Sequence, residues 1–140
     1  MIDIYNALIT RLTTATIANI TADDIAYDNE DFDPTNKDAW LSTNFIPVER
    51  GGSSKTLMSA EDTGLFQVDV FVPLNDATGG TKRYNLRALE IVGDLLDAYP
   101  QFETLSFNGT NVEIEESTFA APLISESWYQ VPVTINFRRL

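Results

Sequence analysis

Hydrophobic and polar positions change period several times along this chain, and each change marks an element. Near the start, Ile4, Tyr5, Leu8, Ile9 and Leu12 recur at spacings of three and four, with Asn6, Thr10 and Thr13 opposite. This pattern predicts an amphipathic helix, capped by Asp3, whose apolar face covers a sheet. A short apolar run from Ile25 to Tyr27 follows, then an acidic stretch punctuated by Pro34. In "DAWLSTNFIPVER" the period becomes two. Trp40, Ser42, Asn44 and Ile46 share one face, and Leu41, Thr43, Phe45 and Pro47 share the other. Proline so late in a strand marks an edge or a terminus. "GLFQVDVFV" alternates Phe66, Val68, Val70 and Val72 with Gln67, Asp69 and Phe71, as a half-buried strand does.

"GGTKRYNLRALEIVGDLLDAYP" reads as the second helix, with Thr81 as its cap and Pro100 as its stop. Arg87, Glu90, Asp94, Asp97 and Gln101 form a solvent stripe. Leu86, Leu89, Val92, Leu96 and Tyr99 form a core stripe, widened by Ala88, Ile91, Leu95 and Ala98. In "LSFNGTNVEIEE", Asn108-Gly109 supplies the positive-φ pair of a two-residue hairpin turn. The last strand, "SWYQVPVTINF", sets Tyr129, Val131, Val133, Ile135 and Phe137 on one face, with Trp128, Gln130, Thr134 and Asn136 on the other. The order predicts an α+β fold: one mostly antiparallel or mixed β-sheet with two helices packed on one face, in a single domain over residues 1–140. Residues 49–63 form a long loop between two central strands. Structureless loops beyond about 12–15 residues are uncommon and tend to be functional or disordered. This one is rich in glycine, serine and mixed charge, with Leu57 and Met58 as sparse apolar anchors. Such a segment can order on meeting a partner.

Composition then narrows the function. The chain has 140 residues, with no cysteine and no histidine. Disulfides, thiolate chemistry, serine–histidine nucleophiles and the usual zinc sites are all out of reach. Catalysis would have to run on carboxylates, lysine or tyrosine alone, so the chain reads as a non-enzyme. Its net charge is −12, from 21 acidic and 9 basic residues, the opposite of what a nucleic-acid binder needs. The start "MIDIYNALIT" has no signal-peptide pattern, and no run of apolar residues is long enough to cross a membrane. The expectation is a protein made and kept in a cytoplasm, with the sequons at Asn19 and Asn108 as chance matches.

Three stretches invite a chemical reading. "RGGSSKT" and "TGGTKR" carry lysine beside glycine, but Ser54 and Thr81 stand where a phosphate loop needs glycine. Asp28, Glu30, Asp31, Asp33 and Asp38 could offer oxygens to calcium or magnesium, yet their spacing is not that of a calcium loop. Glu113 and Glu115 sit two apart on one strand, an arrangement common on any exposed sheet face. No catalytic residue, cofactor or metal site is expected. Trp40 and Trp128 read as packing anchors with a possible share in a subunit contact.

Across nearly its full length the chain resembles the tail terminator proteins of long-tailed, siphovirus-type phages. The features are the helix "IYNALITRL", the strand "DAWLSTNFIPVER", the Gly/Ser loop, "TGLFQVDVFVP", the helix "GGTKRYNLRALEIVGDLLDAY", and "SWYQVPVTINFRR" with its aromatic pair before a proline. The resemblance implies a structural virion protein, assembled in the bacterial cytoplasm. It would form a hexameric ring on the last ring of the tail tube, stop polymerisation and present the surface that the filled head joins. The implied partners are other copies of the chain, the tube protein on one face and a head–tail connector or neck protein on the other. DNA would pass through without specific binding, which suits an acidic chain. Loop 49–63 would then order against a neighbour or the tube. Candidate interface residues are Trp40, Arg50, Lys55, Trp128, Arg138 and Arg139. Neck, completion and tube proteins of the same viruses remain alternatives, and an acidic DNA-mimic inhibitor is a more distant one.

Overall fold

The computed structural model describes residues 2–18, 20–28, 30–35, 37–48, 63–74, 84–125 and 127–140. Among them are two helices, α1 (Ile2–Thr14) and α2 (Tyr84–Ala98). The strands are β1 (Ile25–Ala26), β2 (Trp40–Val48), β3 (Thr63–Pro73), β4 (Thr104–Phe107), β5 (Thr110–Phe119), β6 (Leu123–Ser125) and β7 (Trp128–Arg139). All seven join one curled sheet in the order β1-β2-β3-β7-β5-β4. β3 runs along one side of β7 from Trp128 to Arg138, while β5 and then β6 share its other side. Only β1–β2 is parallel, so the sheet is mixed, and the expected α+β architecture is the observed one. Loop positions 49–62, including Arg50 and Lys55, and the cap at Thr81 lie outside the described residues.

The alternation read from the sequence sets what is buried. β3 buries every second residue, with Phe66, Val68, Val70 and Val72 fully enclosed. β7 does the same with Val131, Val133, Ile135 and Phe137, and β2 turns Leu41 and Thr43 inward. Ile4, Leu8 and Leu12 of α1 join these residues and the inner face of α2 in one core. α1 packs on β4 and β5, and α2 on β3 and β7, so both cover the same face of the sheet. Helix α1 starts at Ile2, two residues earlier than a cap at Asp3 implies, which places Asp3 in its first turn; a carboxylate there still faces the positive end of the helix dipole. The turn between β4 and β5 is as expected, with φ of 54° at Asn108 and 85° at Gly109.

The second helix is rolled away from the expected stripe. α2 buries Ala88, Ile91, Val92, Leu95 and Ala98, followed by Tyr99, and leaves Leu86 and Leu89 half exposed. Its anchors explain the roll. Asp94, expected in solvent, accepts a hydrogen bond from the Ala18 amide at 2.8 Å, and the Arg87 guanidinium donates to the Asp38 carbonyl at 3.1 Å. The small side chains of Ala88 and Ala98 let the helix sit close to the sheet. The Tyr99 hydroxyl donates to the Leu8 carbonyl at 2.7 Å, and Arg11 donates to the Ala98 carbonyl while pairing with Glu103. These contacts tie the two helices together at the end of α2. Burial pushes the Tyr99 hydroxyl well above the ordinary tyrosine range, so it stays a neutral donor.

One glycine is required by packing. Gly64 lies between Pro47 of β2 and Phe137 of β7. A Cβ there would stand 2.6 Å from the Ile46 carbonyl oxygen and 2.7 Å from the Phe137 ring. The Phe137 ring stacks on Phe45 with centroids 5.6 Å apart. Only a residue without a side chain lets the three strands close at this point.

Candidate interface

The helix-free face of the sheet carries the tryptophans singled out from the sequence. Trp40 and Phe71 are directly opposite in the β2–β3 register, and Trp128 faces Pro73 in the β3–β7 register. The side-chain period of two puts all of them on the face away from the helices. Trp40 stacks on Phe71 at 4.0 Å between centroids and on Phe32 at 5.0 Å, and meets Trp128 edge-on at 5.8 Å. Lys37 lies over the Phe32 ring at 5.9 Å while pairing with Asp24 at 2.9 Å. The structure therefore brings Trp40 and Trp128 together and adds Phe32 and Phe71. All four rings are partly buried, and the Trp40 Nε1 donor is enclosed with no hydrogen-bond partner among the described residues. Further along the same face, Asp69 accepts from Gln67 at 2.9 Å and from Gln130 at 3.1 Å. The face is thus an aromatic patch at one end and a polar ladder in the middle.

The arginines are elsewhere. Arg138 is ten residues along β7 from Trp128, roughly 33 Å at strand rise. Its Nε pairs with Glu113 at 2.9 Å. Arg139 is exposed opposite Val112. Trp40 and Trp128 therefore belong to one surface, and Arg138 and Arg139 to another. Glu113 is engaged by Arg138, and the register shift between Ile114 and Glu116 leaves Glu115 as the extra residue of a bulge. The expected simple sharing of one face by Glu113 and Glu115 is broken there.

The acidic stretch before β2 has structural work. Asp28 accepts from the Thr43 hydroxyl at 2.5 Å and from the Phe45 amide at 2.7 Å. Thr43 is buried, so this carboxylate satisfies a polar group the core has enclosed. The Phe45 amide points away from β3, and by alternation so does position 47, where Pro47 has no N–H to offer. β1 covers Leu41 and Ser42 on the same outer edge. Asp33 accepts from the Thr35 amide, which, with the Thr35 hydroxyl, lowers its pKa. Burial opposes ionisation of Asp24, yet hydrogen bonds from Thr21 and Lys37 hold its carboxyl below the ordinary range. Among the described residues no three carboxylates gather as a metal site would require. Sequence pattern alone missed Asp28 because the partners it satisfies are 15 and 17 residues away.

The opposite side of the sheet ends at β4, and β6 lies off that path beside β7. Among the described residues, β6 hydrogen-bonds as a strand only to β7, and Phe119, Leu123 and Ile124 beside it are exposed. β6 was not separated from its neighbours by the sequence pattern, since a three-residue strand carries too few positions to show a period.

Comparison with known proteins decides the family. A protein-family profile described as phage tail terminator protein matches residues 3–137. The chain belongs to the phage tail terminator family. That membership makes it a structural component of tail assembly. A solved structure superposes on it with a TM-score of 0.70, covering 98% of this chain and 93% of its own, at 18% identity. At that identity the likeness is one of fold. No curated protein sequence matches the chain closely enough to count as a relative. No helix among the described residues of this terminator-family chain is long and apolar enough to cross a membrane.

Proposed function

We propose that this protein caps the growing end of the phage tail tube as a closed, six-subunit ring, ends polymerisation and presents the surface to which the head joins. The observation that carries this reading is the terminator-family match over almost the whole chain. Two physical features support it. At the β2 side of the sheet Asp28 takes the Phe45 amide and Pro47 offers no N–H, so strand addition is closed there, which suits a subunit that must stop polymerisation. The net charge of −12 leaves DNA free to slide through the ring without adhering. The role is architectural, without catalysis or a cofactor, and assembly takes place in the bacterial cytoplasm before the protein is carried in the virion tail. The tube protein meets one face of the ring and a connector or neck protein meets the other. Arg50 and Lys55 of loop 49–63 contribute cationic contacts to an acidic neighbour.

The test is tube growth in the presence of the purified protein. Tube subunits are allowed to polymerise while lengths are followed by electron microscopy. Capping predicts that growth stops at substoichiometric amounts of this protein. Continued growth at an unchanged rate, or incorporation of the protein along the tube, contradicts it.

A further inference from the structure

We propose that Asn108 is a self-modification site, where the exposed turn between β4 and β5 converts its asparagine to aspartate and isoaspartate without an enzyme. The chain has ten asparagines, and Asn108 is the only one followed by glycine. That neighbour matters because the reaction joins the next residue's amide nitrogen to the asparagine side chain. A Cβ on that residue would obstruct the approach. Both residues of the turn are exposed, and beyond the chain neighbours nothing lies within 4 Å of where a Gly109 Cβ would stand. Among the described residues, the Gly109 amide donates no hydrogen bond and the Asn108 side chain is held by none. The nucleophile and the carbon it attacks are therefore adjacent, solvated and unengaged. Asn111 is the contrast within the same hairpin. It is exposed too, but its Oδ1 accepts from the Ser106 hydroxyl at 2.6 Å, and the next residue is the buried, β-branched Val112.

The step balances without an oxidant or a cofactor. The Gly109 nitrogen bonds to Cγ of Asn108, the Cγ–Nδ2 bond breaks, and the amide proton leaves with that nitrogen as ammonia. The product is a five-membered succinimide. One water then opens the ring: cleavage at the side-chain carbonyl gives aspartate, and cleavage at the main-chain carbonyl gives isoaspartate. The turn must flex to bring the nitrogen onto Cγ, and an exposed two-residue tip is where local opening costs least. The two products act differently on the fold. Aspartate before glycine still suits a two-residue turn and adds one negative charge. Isoaspartate lengthens the main chain by one carbon inside the turn, where φ of 54° and 85° close the hairpin. The register from Phe107–Thr110 to Leu105–Val112 starts at that turn, Leu105 and Val112 are buried, and α1 packs on both strands. Isoaspartate therefore loosens the hairpin on which α1 rests.

The test is timed incubation of the full-length protein at mildly alkaline pH. Peptide mapping by mass spectrometry, with separation of aspartate from isoaspartate, reads the outcome. Loss of asparagine is expected at position 108 ahead of every other asparagine, with both products present. The rate should rise with pH, since the attacking amide must lose its proton. Asn108→Gly keeps a two-residue turn and should lose the signal entirely. Amide exchange in β4 and β5 should be faster in the isoaspartate fraction than in the aspartate fraction. If Asn108 stays intact in the folded protein while the denatured chain is modified there, the turn protects it and the proposal is overturned. Earlier loss at any other asparagine overturns it as well. Equal exchange in the two fractions overturns the loosening of the hairpin.

Discussion

Along the outer side of β2, the Phe45 amide is taken by the Asp28 carboxylate and the next outward position is a proline, whereas β6 pairs, among the described residues, only with β7 and exposes Leu123 and Ile124. The two edges belong to one sheet and are separated by β3 and β7. A strand edge is a liability in a free subunit and a resource in an assembly. Asp28 and Pro47 close the β2 edge to strand addition, and no such device lies on β6 among the described residues.

The comparison can be broken most severely at Asp28. Asp28→Ala leaves the buried Thr43 hydroxyl and the Phe45 amide without their acceptor, at about 1–3 kcal/mol for each group. Thermal unfolding should show a loss of about 2–4 kcal/mol, and light scattering should show new self-association through the reopened edge. A loss of stability with no new association would mean that Asp28 serves the core alone. Gly64→Ala provides the comparison, since it crowds β2 and β7 while leaving the Asp28 acceptor in place. Overpacking against the Ile46 carbonyl should cost about 1–3 kcal/mol. At matched stability this variant should stay as soluble as the parent. Pro47→Thr restores an outward N–H and should change stability by less than about 0.5 kcal/mol while increasing concentration-dependent scattering.

Acid should loosen the closed side by the smallest amount. The folded-state pKa of Asp24 is lowered, so its contribution is present above the ordinary carboxylate range and is lost as pH falls through the lowered value. Protonation weakens its hold on Lys37, which sits over Phe32 beside Trp40. Amide protection factors at Ile25 and Ala26 should therefore fall as the pH drops below the ordinary carboxylate range. Exchange in β6 should not follow the same titration. Asp24→Asn should flatten the response at β1.

Much of the fold was legible because the relevant signals are local and repeated. The two-residue alternation in β3 and β7 gives their buried faces directly, and Asn108-Gly109 specifies its turn. The roll of α2 was not legible. Its nine apolar positions allow more than one stripe, and the choice is made by Asp94 reaching Ala18 and Arg87 reaching Asp38. The candidate interface was legible in part. Trp40 and Trp128 stand out by type, and the structure sets them together, but Phe32 and Phe71 join them only through register and a returning segment. Arg138 was nominated for its charge, and the structure gives that charge to Glu113 across the sheet. β6 was hidden because a three-residue strand shows no period and is defined only by its pairing with β7.

The central claim is that this chain closes a ring at the end of the tube, and the most direct measurement is the number of copies per tail. Quantitative mass spectrometry on purified tails of several engineered tube lengths would count it. The account predicts six copies per tail at every length. A count that rises with tube length would make the chain a tube subunit, and its absence from finished tails would remove it from the virion; either result contradicts the account.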